Sequence, residues 1–329
     1  MGARKKTPIL KSLSAGRPPT ARPPKSISRK TTKKLINSHH QLEKRRLQAV
    51  ARNDKAAEIA IAAEIEALGG LARYQQASLQ GQHRERGGDS SRVLMQWLGI
   101  DQDEKDKAAR AVATKTVTAA MTAPEAEPSF LKSAPLRMLE VGALSIDNAC
   151  SVSGCFQMER IDLNSQGPGI LQQDFLQRPR PTSDKERFDI ISLSLVLNYV
   201  PQHSDRGEML LRCLDFLHEP GMVSTEGKSS SKAGSAPATD DNIQKYFPSV
   251  FMVLPEPCVA NSRYLTKEHL TNMMNVLGFD LLESKTSQRL VYYLWARRRP
   301  ASMHVPRFIK KELRSGPTRN NFSIVLQGT

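Results

Sequence analysis

The chain has 329 residues, 48 Lys plus Arg against 33 Asp plus Glu, and a formal net charge of +15. This composition excludes collagen, a coiled coil and a disulfide-rich scaffold, and the length allows one or two domains with hydrophobic cores. No run approaches the roughly 18 apolar residues of a membrane span, and the basic N-terminus lacks the apolar stretch of a secretory signal, so we expect no export. The four cysteines lack Cys-x-x-Cys spacing, which predicts reduced thiols.

The positive charge is concentrated at the two ends of the chain. Residues 1–55 hold 16 Lys and Arg with 2 Asp and Glu, for +14, and residues 297–329 hold 8 with one Glu, for +7. The 24 Lys and Arg and 30 Asp and Glu between them give −6. Proline pairs and few large apolar residues predict a disordered basic tail over residues 1–41. Such arms bind nucleic acid or serve as nuclear addresses, and the alternative is a solubilising tail without a specific partner.

Helical patterns follow the basic tail. Apolar residues at helical spacing predict one helix over Leu42–Leu68, ending at Gly69-Gly70, and a second over Leu71–Leu79. Asp89-Ser90-Ser91 can cap a third. With a polar linker, these helices form a predicted helical subdomain of residues 42–123.

From residue 124 to 297, short apolar runs alternate with helical or loop segments, which predicts an α/β domain with a mostly parallel sheet. Amphipathic helices are predicted over Gly207–Leu217 and Thr266–Leu277. The last two strands have no helix between them and should form an antiparallel hairpin, which is the outline of a Rossmann-like class I methyltransferase. Residues 221–246 read as a flexible insertion and 298–329 as a disordered basic tail. The predicted strands are Arg137–Val141, Gln157–Ile161, Phe188–Leu193, Ser249–Leu254, Phe279–Glu283 and Leu290–Ala296.

The ends of the predicted strands carry the candidate cofactor site. The first strand ends in Glu140-Val141-Gly142, where glycine allows close approach of a ligand to the backbone. Asp162 ends the second strand and can accept hydrogen bonds from ribose hydroxyls. Asp174, where the third strand should end, can accept one from an adenine amino group, and Ser194 follows the fourth strand. For both aspartates the alternative is an Asx turn in a loop.

The glycine and the two aspartates at successive strand ends favour S-adenosylmethionine over a nicotinamide dinucleotide as the cofactor, because the dinucleotide-binding motif G-x-G-x-x-G is absent. Asn198 and Tyr199, after the fourth strand, are candidate catalytic residues that could hydrogen-bond and stack a flipped base; a packed helix start is the alternative. A proline-stiffened lip at 254–264 carries Arg263, which could contact phosphate or be merely solvated. The histidines show no metal-ligand spacing and no serine has a glycine elbow, so we predict neither a metal nor hydrolase chemistry.

Longer motifs carry a resemblance to a known family. The stretch LEVGALSIDNACSVSGCFQMERIDLNSQGPGILQQDFLQRPRP, with FDIISLSLVLNYVP, LPEPCVANSRYLT, GGLARYQQASLQGQ and RGGDSSRVLMQWL, strongly resembles the fungal large-subunit ribosomal RNA adenine-N(1)-methyltransferase family over residues 65–297. The resemblance implies a nucleolar enzyme of ribosome biogenesis that uses S-adenosylmethionine to methylate one adenine of 25S rRNA. It places cofactor contacts on Gly142 and Asp162, while the insertion at 221–246 departs from the family pattern.

Two other functions remain open at this stage. Animal relatives of the family resemble cofactor-sensing binding proteins, so a sensor or scaffold without turnover is one alternative. A methyltransferase acting on a protein side chain is the other. The two basic ends favour RNA, with pre-ribosomal particles as the expected partner and a monomer assumed.

Overall fold

The computed structural model describes residues 28–82, 89–100, 135–165, 167–220 and 245–328. The predictions for residues 1–27, for the linker at 101–134 and for 221–244 of the insertion lie outside these residues. No helix in the described part of the chain is both long and apolar enough to cross a membrane.

Seven strands form one mixed sheet, in the order β3-β2-β1-β4-β5-β7-β6. Strand β1 pairs in parallel with β2 and β4, β2 with β3, and β4 with β5. Strand β7 is antiparallel to both β5 and β6. This confirms the predicted fold class, a mostly parallel sheet that ends in an antiparallel hairpin. The strands are β1 (Leu136–Val141), β2 (Phe156–Asp162), β3 (Leu171–Gln172), β4 (Ile190–Ser194), β5 (Ser249–Pro255), β6 (Phe279–Thr286) and β7 (Leu290–Arg297).

The central strands are apolar because helices and other chain segments cover both faces of the sheet. In β4 and β5, Ile190, Ile191 and Val250–Leu254 are almost fully buried, which is why these strands read as continuous apolar runs. The chain leaves β1 toward β2 on one side and enters β4 on the other side of β1. Ligands of open α/β sheets bind outside the carboxyl ends of the strands at such a reversal.

Within the described ranges, the helices of the sheet domain are α4 (Ser91–Trp97), α5 (Ala149–Val152), α6 (His203–Phe216), α7 (Pro257–Ala260) and α8 (Lys267–Val276). One apolar cluster joins α6 and α8 to one face of the sheet, and a second cluster joins α4 and α5 to the other. Thr266 caps α8, as predicted, by accepting a hydrogen bond from the His269 N–H at 3.1 Å.

Three further helices precede the sheet domain: α1 (Arg29–Ala51), α2 (Lys55–Ala67) and α3 (Gly70–Gln82). The structure differs from the prediction here, because α1 begins at Arg29 rather than Leu42 and the predicted single helix is broken after Ala51. Asn53 adopts a left-handed conformation with φ of 56°, and Asp54 caps α2 through the Ala57 N–H. Residues 29–41 are therefore helical in a segment predicted to be disordered.

The C-terminal segment, residues 298–328, also differs from its prediction. It runs as an extended strap, which we call the C-terminal strap, across α6 and the lip after β5. Val305, Ile324 and Leu326 are buried in the core cluster that contains α6. Arg314 donates hydrogen bonds to the carbonyl oxygens of three lip residues, Val259, Ala260 and Ser262, and of Leu265 just after the lip, at 2.7–3.0 Å. A few well-spaced apolar residues thus anchor a segment whose average composition predicted disorder.

Candidate functional site

A cleft with about 480 Å³ of empty space, which includes space open to solvent, lies at the carboxyl ends of β1 and β4. The cleft lies where the strand order reverses, so the topology and the open space agree on one location. Its lining includes three of the predicted cofactor residues, Glu140, Gly142 and Ser194.

Glu140 provides the acidic group of the cleft. Asn148, which caps α5, donates hydrogen bonds from Nδ2 to both carboxyl oxygens of Glu140, at 2.8 and 3.0 Å. Burial nevertheless raises the pKa of Glu140 to about 7, against the opposing effects of the Asn148 hydrogen bonds and the charge of Arg160. A carboxyl group that titrates near neutral pH therefore lies in the floor of the cleft.

Gly142 forms the turn after β1. Its φ of +75° is in the left-handed region, and a Cβ atom built there would lie 2.8 Å from Cγ2 of Val196. Leu195, just before Val196, also has a positive φ, of 58°, which is unusual for a residue with a branched side chain. This left-handed residue turns the chain out of β4 so that Val196 lies against Gly142.

Asp162 ends β2, beside β1, but does not line the described cleft. Its Oδ1 accepts a hydrogen bond from the Asn164 N–H at 2.8 Å, which is the Asx turn considered as the alternative role. Asn164 also exchanges two hydrogen bonds of 2.8 Å with Gln75 of α3. Burial raises the pKa of Asp162, partly offset by the Asn164 N–H. The turn engages Oδ1 of Asp162, and no hydrogen bond to Oδ2 is found within the described part of the chain.

Asp174 lies two residues after β3, as predicted. Its Oδ1 accepts a hydrogen bond from the Leu176 N–H at 2.8 Å, so it also forms an Asx turn. Phe175 is buried and packs against Phe216 rather than facing the cleft. The Phe175 ring is therefore part of the hydrophobic core and does not line the cleft.

One wall of the cleft comes from residues that the sequence indicated only as a helix cap. Asp89 accepts hydrogen bonds from the N–H and hydroxyl of Ser91 at 2.9 and 2.7 Å, and a further one from the Ala149 N–H. Ser90 Oγ lies 2.7 Å from Ser194 Oγ, within hydrogen-bonding distance. The segment before α4 thus bridges α5 and the end of β4. The only local signal was the polar run Asp89-Ser90-Ser91, and its partners are distant in sequence.

Asn198 and Tyr199 lie in the turn after β4, where side chains from the first helices meet them. The ring of His40, in α1, lies 4.0 Å from the Tyr199 ring between centroids. Tyr74, in α3, is 6.1 Å from Tyr199, and His39 stacks on Tyr74 at 4.5 Å. Burial raises the pKa values of both tyrosines. No pattern in the sequence indicated that His39 and His40 reach this edge of the sheet.

The lip after β5 is fixed by the C-terminal strap. Arg263 donates hydrogen bonds from its guanidinium to Asn321 Oδ1 and the Gly316 carbonyl oxygen, at 3.0 and 2.9 Å. Arg263 is therefore a structural link to the strap rather than a merely solvated side chain. Beside it, the Lys310 ammonium lies 4.7 Å from the Tyr264 ring centroid.

The four cysteines are buried free thiols. Across the described ranges, no group of three His, Cys, Asp or Glu residues is arranged to hold a metal ion.

Comparisons with known proteins found a matching family model and curated relatives. A family model described as "25S rRNA (adenine(2142)-N(1))-methyltransferase, Bmt2" matches residues 59–324. The chain is 32% identical over 296 residues to the 25S rRNA adenine-N(1) methyltransferase of Schizosaccharomyces pombe, covering 88% of this chain and 90% of that protein. It is 33% identical over 269 residues to the 25S rRNA (adenine(2142)-N(1))-methyltransferase of Saccharomyces cerevisiae, covering 80% of this chain and 62% of that protein.

Among solved structures, the N-methyltransferase NodS of Bradyrhizobium japonicum WM9, in complex with S-adenosyl-L-homocysteine, matches with a TM-score of 0.32 and 12% identity. The match covers 52% of this chain and 82% of the NodS chain.

Proposed function

Because this chain belongs to the 25S rRNA (adenine(2142)-N(1))-methyltransferase family, we propose that it transfers a methyl group from S-adenosylmethionine to N1 of one adenine in large-subunit rRNA. The observation that carries the proposal is the arrangement at the carboxyl ends of β1 and β2. Glu140 and Asp162 lie at the ends of two neighbouring parallel strands there, and the left-handed Gly142 follows the first of them.

The residues present fit the methyl donor. Gly142 lines the cleft without a side chain of its own, so a ligand can approach the backbone closely there. Glu140 and Asp162 would provide carboxylate acceptors for the ammonium group and the ribose hydroxyl groups of S-adenosylmethionine. Ser194 would provide a hydroxyl group. Asp174 would bind the adenine amino group through the oxygen that its Asx turn does not use. When bound, S-adenosylmethionine supplies an already activated methyl group on a sulfonium.

The acceptor side needs positioning more than proton transfer. N1 of adenine carries a lone pair in the neutral base, so no strong base is required before attack. Asn198 and Tyr199 would hold the unpaired base at the end of β4, which is the strand next to β1. The buried Tyr199 has a raised pKa and therefore remains a neutral hydroxyl at physiological pH.

Positive charge supports an RNA substrate. Helix α1 carries seven Lys and Arg and one Glu, and the C-terminal strap adds further basic residues beside the lip. Proteins that neutralise several phosphates lose RNA affinity steeply between about 50 and 200 mM salt, and we expect that dependence here. The proposed partner is the pre-ribosomal particle, the proposed location is the nucleolus, and the proposed active form is a monomer.

The test is transfer of labelled methyl groups to unmodified large-subunit RNA, followed by nucleoside mass spectrometry. We expect a 1-methyladenosine peak that is lost with Asp162→Ala and retained with Asp280→Ala. Asp280 is a matched control because it lies on the edge strand β6 and pairs with Arg299 at 2.7 Å. Tight cofactor binding without any labelled product would overturn the proposal in favour of a sensor, and a labelled protein would change the substrate class.

A further inference from the structure

Four aromatic side chains from three separate parts of the chain converge beside the end of β4. His39 and His40 come from α1, Tyr74 from α3, and Tyr199 from the turn after β4. His40 lies 4.0 Å from Tyr199 with a 40° angle between the rings, and its edge meets Tyr74 at 5.4 Å. We call these four residues, together with Asn198, the aromatic cluster.

The aromatic cluster contains buried polar atoms without hydrogen-bond partners. Nε2 of His39, Nε2 of His40 and Oδ1 of Asn198 are inaccessible to solvent and have no hydrogen-bond partner in the described part of the chain. A buried polar atom without a partner costs free energy, and most such atoms in folded proteins are paired. Of these three, Oδ1 of Asn198, in the turn after β4, is an acceptor available to a polar ligand.

The location restricts the class of ligand. Asn198 of the cluster lies four residues after Ser194, which lines the cofactor cleft. The strongly basic helix α1 covers the cluster. A ligand held here would have a flat ring to stack on Tyr199 and His40, a polar edge to pair with Asn198, and a phosphate backbone near α1. An extruded RNA base has all three properties.

We propose that the target adenine stacks between Tyr199 and His40, so that helices α1 and α3 form the second wall of the acceptor site. This inference rests on the proposed function and assigns base-binding roles to His40 and Tyr74. In the structure the two rings are in contact, so α1 has to move outward by the thickness of one ring to admit the base. Asn198 Oδ1 then accepts a hydrogen bond from the adenine N6 amino group.

The charge states of the cluster suit this role. Attack by N1 leaves a delocalised positive charge on the methylated base, which aromatic faces stabilise. Burial lowers the pKa of His40 to about 4, with a smaller contribution from His39, and burial lowers the pKa of His39 against the charge of Glu43. Both imidazoles are therefore neutral at physiological pH and do not repel the developing cation.

Photo-crosslinking tests the contact without depending on turnover. An RNA fragment carries 8-azidoadenosine at the adenine identified by the methyl-transfer assay, and is irradiated with the wild-type protein and S-adenosylhomocysteine. We expect adducts on the tryptic peptides 35–44, which holds His39 and His40, and 74–84, which begins at Tyr74, as well as on 188–206, which holds Tyr199. Adducts on 188–206 alone, or on the lip alone, would overturn the proposal.

Kinetic variants supply the second readout. We expect His40→Ala to lower kcat/KM for RNA about tenfold through loss of one stacking surface, with the cofactor Kd unchanged by calorimetry. His40→Phe, which keeps a flat ring, should recover most of that loss. Val50→Ala is the matched control, because Val50 is an exposed residue of the same helix.

The outcomes separate this inference from the proposed function. If wild-type protein forms 1-methyladenosine but neither α1 nor α3 is crosslinked and His40→Ala has normal kinetics, the inference fails and the function stands. If no methyl group reaches RNA and no RNA crosslinks form, both fail.

Discussion

The position that a Cβ atom would take on Gly142 lies 2.8 Å from Cγ2 of Val196, so the turn after β1 and the turn after β4 are in direct contact. Gly142→Ala therefore places a methyl group against Val196 and forces alanine into a left-handed conformation. The second effect alone costs about 1–2 kcal/mol. We expect a lower free energy of unfolding in urea and a weaker cofactor Kd by calorimetry.

Val196→Ala separates the two causes. In the Gly142→Ala/Val196→Ala double variant the close contact is relieved but the left-handed alanine remains. We expect the double variant to be less destabilised than the sum of the two single variants, with cofactor affinity still reduced. Strict additivity of the unfolding free energies would show that Val196 does not restrict this turn.

Asp162 has two possible roles, and a pair of substitutions separates them. Its Oδ1 holds the Asx turn with Asn164, and the carboxylate is the proposed acceptor for ribose hydroxyls. Asp162→Asn keeps an oxygen for the turn but loses the negative charge, whereas Asp162→Ala loses both. We expect both variants to lose cofactor affinity, Asp162→Ala by about 100-fold or more because two charge-assisted hydrogen bonds are lost.

Thermal unfolding gives the complementary measurement for Asp162. We expect only Asp162→Ala to lower the Tm, because only that variant breaks the turn that also positions Asn164 for its bonds to Gln75. Unchanged cofactor affinity in Asp162→Asn would reduce Asp162 to a turn residue. Asp174→Asn, in which the Leu176 turn is likewise preserved, serves as the parallel variant at the third strand.

The strands and their end residues were predictable because each signal is local. A short apolar run closed by Glu140-Val141-Gly142 identifies both a buried strand and its turn, and no distant partner is needed. Buried parallel strands also tolerate little polar substitution, so their boundaries agree with the sequence pattern to within a residue or two.

The remaining features depend on partners that are remote in sequence. Asp89 and Ser90 have the pattern of a helix cap, and their contacts with Ala149 and Ser194 appear only in the folded chain. His39 and His40 lie in a basic segment whose composition predicted disorder, although α1 packs against α2 and α3 there. Isolated apolar residues such as Leu326 have no periodicity from which burial could be predicted.

Glu140 makes stability depend on pH in a predictable direction. Burial raises its pKa from 4.5 to about 7, so between these values the folded protein holds a proton that the unfolded chain releases. The free energy of unfolding should therefore fall as the pH rises from about 4.5 to 7, and this contribution should level off above pH 7. Urea titrations at a series of pH values measure the slope.

Glu140→Gln removes this titration. We expect the variant to have a flatter stability profile between pH 4.5 and 7 than the wild-type protein, whereas Glu283→Gln on β6 should retain the wild-type slope. The same substitution should lower the affinity for S-adenosylmethionine at pH 8, where wild-type Glu140 is ionised. A slope that survives in Glu140→Gln would assign the pH dependence to another group.

Gly207 tests the packing of the C-terminal strap. In an unobstructed helix interior, Gly→Ala stabilises by about 0.5–1 kcal/mol, but a Cβ atom on Gly207 would lie only 1.8 Å from the Val325 carbonyl oxygen. The N–H of Val325 itself donates a hydrogen bond to the His203 carbonyl oxygen at 2.9 Å, so the strap cannot move away without losing contacts. We expect Gly207→Ala to destabilise the protein and to expose residues 300–328 to proteolysis.

Leu211→Ala, on the same helix, removes apolar surface without obstructing the strap, so it should lower stability while leaving the strap protected. If Gly207→Ala instead raised the Tm with the strap still protected, the strap would not pack on α6 as the structure shows, and the basic residues it carries would be free to bind RNA independently of the lip.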